Sequence, residues 1–144
     1  MRRALDLNRE VGYRFGEGIA LVNLGDVLLN LNRAEEAIEY LQQARRTFAE
    51  IKDADGTGYA FYWLGRCYAC LDRGAEALDC LRQALTSHRI AGNRRRQAVT
   101  LRFLGRTQAR HGLPAEARES WAQSAAIFDD LGDSEQAAQV RAEM

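Results

Sequence analysis

The chain repeats itself. Sliding the sequence by forty residues superimposes LGDVLLNLNRAEEA (24–37) on LGRCYACLDRGAEA (64–77) and on LGRTQARHGLPAEA (104–117), with no gap. The agreement continues through Ala37, Ala77 and Ala117, then Leu41, Leu81 and Trp121, then Ala44, Ala84 and Ser124. A uniform period of this length restricts the fold to an array in which each unit stacks on its neighbours, because one unit cannot bury its apolar face alone.

Within each unit the apolar spacing is helical. Ala37, Leu41, Ala44, Phe48 and Ile51 share one helix face, as do Ile19, Leu21, Leu24, Leu28 and Leu31. A single proline, Pro114, and an abundance of Ala, Leu, Glu, Arg and Gln favour helix throughout. Turn residues fall between these segments at Asn32-Arg33, Asp72-Arg73-Gly74 and His111-Gly112, with Pro114 just inside the next helix. The pattern predicts helices over 14–31, 34–51, 54–71, 74–91, 94–111 and 114–131, with half-units at 2–11 and 134–143. Asp53, Asn93 and Asp133 are predicted N-caps. Glycine inside a helix costs up to ~1 kcal/mol. Gly25, Gly65 and Gly105 therefore imply a close helix–helix approach, expected to be faced by the small Ala37, Ala77 and Ala117.

Leu-Gly, an alanine twelve residues after the glycine, a large apolar residue four beyond it and a small residue three beyond that resemble the tetratricopeptide repeat. The resemblance implies an all-α fold: a right-handed α-solenoid of antiparallel helix pairs, with three full units (14–53, 54–93 and 94–133) in one domain over 1–144. The common repeat is about 34 residues long, often with a late proline in its second helix. Here the period is forty, and Ala49, Arg89 and Asp129 stand at the proline's place. This longer form is similar to repeats of kinesin light chains and LGN-type scaffolds. IFDDLGD at 127–133 and the arginine-rich style resemble C-terminal sensor arrays of actinobacterial transcriptional regulators, which follow a DNA-binding and a nucleotide-binding switch domain. Residues 2–11 match only the second half of a second helix, with Met1 in the slot of Leu41, so a fragment of a larger protein is expected. QAAQVRAEM resembles the end of such a regulator.

In this family the first helix of each repeat lines a concave wall that binds peptides. That assigns Ile19, Val22, Asn23, Asp26 and Asn30 to the wall from the first repeat. Tyr59, Tyr62, Trp63, Arg66 and Cys70 follow from the second, and Val99, Arg102, Phe103, Arg106 and Arg110 from the third. Charge changes along this wall: 14–31 carries Arg14, Glu17 and Asp26, whereas 94–111 carries six arginines and no acid. Arg102, Arg106 and Arg110 are spaced by four and form a stripe. Guanidinium groups grip carboxylates in two-point fashion, which suits an acidic peptide or a free C-terminal carboxylate. Tyr59, Tyr62 and Trp63 would supply apolar anchors beside it. The alternative is that the stripe pairs with Glu116, Glu119, Asp129 and Asp130 of the next helix. Asn23 has Trp63 and Phe103 as counterparts, so no asparagine ladder runs through the array and a solvated Asn23 is expected.

Twenty basic residues balance twenty acidic ones, which argues against a global field for nucleic acid and leaves contact through Arg94–Arg96 as a third reading. No apolar run approaches the ~20 residues needed to span a bilayer, so no membrane partner is expected. Three cysteines, an odd number, suit a reducing cytoplasm. Cys67 and Cys70 lie in one helix without further ligands nearby, and small buried thiols are expected rather than a metal or redox site. His88 falls in the slot of Phe48 and Phe128, a core position. No catalytic set or phosphate loop is present in the sequence, so neither enzyme activity nor a cofactor is expected. The function implied is a protein- or peptide-binding module, the partner-sensing part of a cytoplasmic bacterial transcriptional regulator. The alternative is a structural scaffold that self-associates through end surfaces such as Leu5 and Val11, its groove unused.

Overall fold

The computed structural model describes residues 2–144, with side chains from residue 6 onward. Among these there are seven helices and no strand: α1 (Arg2–Asn30), α2 (Ala34–Glu50), α3 (Ala54–Cys70), α4 (Gly74–Ala91), α5 (Arg94–Arg110), α6 (Pro114–Asp130) and α7 (Ser134–Glu143). Linkers of two or three residues force consecutive helices to pack as antiparallel neighbours. Contacts also run from α1 to α3 and from α3 to α5, while the even-numbered helices make no comparable approach to one another. The odd helices therefore form the tighter, inner layer of an α-solenoid.

Turn chemistry sets the repeat. Asn32, Lys52, Asp72, Gly92, Gly112 and Gly132 occur every twenty residues and all have φ between 57° and 77°. The N–H of the residue after each one donates to the carbonyl five residues earlier, from Arg33 to Leu28 through Asp133 to Phe128, at 2.8–3.0 Å. This left-handed stop satisfies the orphan carbonyls at a helix end. The predicted caps form at the starts of α3, α5 and α7: the Asp53, Asn93 and Asp133 side chains accept from the N–H of Gly56, Arg96 and Gln136 at 2.9–3.1 Å.

One predicted boundary is absent. The half-unit 2–11 runs without a break into the helix expected at 14–31, giving the 29-residue α1. Gly12 occupies the register of Lys52, Gly92 and Gly132, but the capping register is held by Tyr13, whose phenol is no N-cap acceptor. The helix is continued rather than stopped. Leu7, Val11 and Phe15 on this extension are exposed. The readings attached to Met1 and Leu5 lie outside the residues described at side-chain level.

The mid-helix glycines have a different partner from the one expected. A Cβ on Gly25, Gly65 or Gly105 would stand 2.6–2.7 Å from Leu41, Leu81 or Trp121 respectively. The large residue, not the alanine four positions earlier, fills the space that glycine leaves. Ala37, Ala77 and Ala117 are fully buried, and the Ala77 carbonyl would lie 3.4 Å from the Gly65 Cβ. Phe48, His88 and Phe128 occupy equivalent buried slots. His88 Nδ1 lies 3.2 Å from the Asp55 carboxylate. That carboxylate also accepts from Asn93 Nδ2 at 3.2 Å and pairs with Arg96 at 3.3 Å. Burial pushes the His88 pKa down, with Asp55 opposing and Arg96 reinforcing the shift.

Gly65→Val is expected to cost about 2 kcal/mol of stability by overpacking against Leu81. Urea unfolding checks this, and Gly65→Val with Leu81→Ala should cost less than the sum of the two single changes. A histidine with a folded pKa below its unfolded value binds more protons when unfolded. Stability is therefore complete above pH ~6.5 and falls as pH drops through the folded pKa. His88→Phe should flatten that part of a stability–pH curve measured by thermal unfolding.

Candidate functional site

The inner layer is built from the odd-numbered helices, and its aromatic and arginine part lies on α3, α5 and α7. On α3, Tyr59, Tyr62, Trp63 and Arg66 lie within two helical turns, and Phe103 of α5 occupies the register of Trp63. Edge-on ring contacts link Tyr59 to Trp63 at 6.4 Å, Tyr62 to Trp63 at 5.6 Å and Tyr62 to Phe103 at 6.1 Å. The Arg66 guanidinium carbon sits 4.7 Å from the Trp63 ring centre, 5.1 Å from Phe103 and 5.8 Å from Tyr62. Three rings thus hold one cation by quadrupole attraction. Among the described residues no carboxylate pairs with Arg66, so its N–H edge retains donors. Burial pushes the Tyr62 pKa up, while Arg66 and Arg106 pull it down. Both cations therefore stand close to that phenol.

Arg102 and Arg106 are engaged within the fold, though not by the helix expected. Arg102 Nε donates to Glu143 Oε2 at 2.7 Å, Arg106 Nε donates to Glu143 Oε1, and Arg102 Nη1 donates to Gln136 Oε1 at 3.1 Å. Both partners belong to α7. The reason is layering: Arg102 and Arg106 face along the inner wall, whereas α6 lies in the outer layer. Of the α6 acids, Asp130 pairs with Arg94 at 3.3 Å, Asp129 with Arg141, and Glu116 lies 3.9 Å from Arg82. Arg110 is exposed at the end of α5. It borders an open cavity of about 610 Å³ lined also by Phe103, Arg106, Trp121 and Glu143.

The members from the first repeat lie on α1, the odd-numbered helix beside α3. Asn23 is exposed, and Asn30 donates to Asp26 at 3.1 Å within α1. Val22 is a fully buried core residue, and the partly buried Ile19 packs against that core. The aromatic and arginine members from the second and third repeats come together; Asn23, Asp26 and Asn30 keep to their own helix. Sequence reasoning misses Glu143 and Gln136 as wall residues, although the forty-residue register aligns Glu143 with Asn23, Trp63 and Phe103. It misses Arg96 too, whose guanidinium stacks 4.0 Å from the Tyr59 ring centre.

Arg94, Arg95 and Arg96 pair with Asp130, Asp133 and Asp55 at 3.1–3.3 Å, so the triple-arginine run is neutralised internally. The cysteine pair splits: Cys67 is buried as expected, but Cys70 is exposed. Burial pushes the Cys67 thiol up to about 12 and that of buried Cys80 to about 11. No described helix is long and apolar enough to cross a membrane.

Stacked helix pairs with an aromatic and arginine inner wall define a class of helical repeat protein, and comparison supplies the family. A tetratricopeptide repeat model matches residues 56–130, just over half the chain, and a second one matches 19–44. The chain belongs to the tetratricopeptide repeat family. It is similar to the regulatory protein AfsR of Streptomyces coelicolor, with 34% identity over 120 residues, and to AfsR of Streptomyces griseus, with 27% over 122. These alignments cover 81% and 83% of this chain but only 12% of each relative, so the chain spans about an eighth of their length. Among solved structures it is similar in fold to a Podosopora anserina kinesin light chain with nearly identical TPR-like repeats, at a TM-score of 0.68 and 18% identity, covering 85% of this chain and 66% of that one. MamA matches at a TM-score of 0.58 and 19% identity, covering 86% and 74%.

Thiol labelling checks the cysteine environments. In the folded protein at pH ~7.5, maleimide is expected to modify Cys70 rapidly and to reach Cys67 and Cys80 only on unfolding.

Proposed function

We propose that the chain is a non-catalytic peptide-binding module whose wall, centred on Arg66, takes an acidic segment or a free C-terminal carboxylate beside an apolar anchor. The observation that carries this is Arg66 itself: a guanidinium held among the rings of Trp63, Phe103 and Tyr62, with no carboxylate partner among the described residues. A cation prepared in that way loses little freedom when it binds a carboxylate, and the rings offer area for an apolar neighbour. Arg106 and Arg110 extend the positive surface along the adjoining cavity. The likeness to AfsR favours a place as the partner-sensing domain of a longer bacterial transcriptional regulator in the cytoplasm. Binding there would bias a neighbouring domain only as far as its affinity differs between that domain's states.

Exposed Leu7, Val11 and Phe15 favour a second reading, in which copies associate through the α1 extension. Concentration-dependent mass in light scattering that Val11→Glu removes would support it.

Titrating peptides that carry Glu or Asp next to Leu or Phe, with tryptophan fluorescence as readout, tests the first reading. Acidic peptides are expected to bind at least about tenfold more tightly than their Gln or Asn counterparts, and Arg66→Glu should abolish that preference. Equal binding of acidic and amide peptides would overturn it.

A further inference from the structure

Glu143, the last residue of α7, reaches across to α5. Its two carboxylate oxygens are divided between two arginines four residues apart, Oε2 with Arg102 and Oε1 with Arg106. It does so from the wall register of Trp63 and Phe103, at the edge of the cavity that Arg106 and Arg110 also line. Two guanidinium groups sharing one carboxylate is the arrangement that a partner's acidic side chain would adopt there. The helix that carries Glu143 is lightly held: α7 buries only Ala137 and Val140, whereas α6 buries seven residues. Glu143 is the one acid lining the cavity that Arg106 and Arg110 also line, and Arg102 reaches the same carboxylate, which leaves an excess of positive charge there.

We infer that Glu143 is a built-in competitor for the groove: a partner's carboxylate takes Arg106 from it, and occupation of the wall releases α7. The inference rests on the acidic-peptide reading of the wall. Arg106 is the point of exchange because its side chain is 46% exposed, against 21% for Arg102, whose second bond to Gln136 also ties it down. Coupling of this kind is reciprocal. Any change that loosens α7 strengthens peptide binding, and any change that fixes α7 weakens it.

The test compares an acetylated, amidated Glu-Leu-Glu-Phe-Glu peptide binding to the wild-type chain, Glu143→Gln and Arg66→Glu, read by tryptophan fluorescence. Glu135→Gln removes the same charge from the first turn of α7 and serves as the control. Glu143→Gln is expected to bind about three- to tenfold more tightly than wild type, with the control unchanged. Hydrogen exchange over residues 134–143 should speed up when the peptide is added to the wild-type chain. Wild-type and Glu143→Gln proteins binding equally, with Arg66→Glu abolishing both interactions, would overturn the competition and leave the groove standing. Equal tightening by Glu135→Gln would overturn it as a mere charge effect. Looser α7 in Glu143→Gln without tighter binding would show that the ion pair only fastens the helix. Binding to none of the proteins would remove the groove reading and this inference with it.

Discussion

Everything in this array depends on how closely two helices of a pair can approach. Gly25, Gly65 and Gly105 give up helix propensity at mid-helix, and the space goes to Leu41, Leu81 and Trp121. Each large side chain is thereby seated against a helix backbone, leaving little room for a pair to slide. Across the boundary between repeats, α3 and α5 come near enough for Tyr62 to meet Phe103 at 6.1 Å.

The inner face uses arginine in two ways. Arg102 and Arg106 are satisfied by a carboxylate of the chain itself, while Arg66 lies over rings with no carboxylate partner among the described residues. Exposed ion pairs contribute little net stability, and Arg106 in the Arg106–Glu143 pair is nearly half exposed. Such pairs can be exchanged for similar ones at small cost, which suits a surface that meets partners. The Asp55, His88, Asn93 and Arg96 group behaves differently: its polar groups answer one another across α3, α4 and α5, which favours one fixed arrangement.

Much of the fold was legible because the period, the turn residues and the caps agreed. Asp53, Asn93 and Asp133 cap as their residue types require, and apart from α1 the helix ends fall within a residue of the apolar pattern. The continuity of α1 was harder to read, since Gly12 alone signals a stop and the missing cap at Tyr13 signals none. Which residue meets each glycine depends on how two helices cross, and that is not a property of either helix alone. The wall was legible in its aromatic and Arg66 members, which sit on one helix face. The capture of Arg102 and Arg106 by Glu143 was not, because it joins residues about forty positions apart through a half-repeat.

The left-handed stops fall every twenty residues without exception from Asn32 to Gly132. In a helix each added or lost residue rotates the downstream side chains by about 100°. A one-residue insertion in α4 would turn its later core positions toward water and carry the error to the next stop. Chains of this design are accordingly free to change length only by whole helix pairs, much as a threaded rod accepts only nuts of its own pitch.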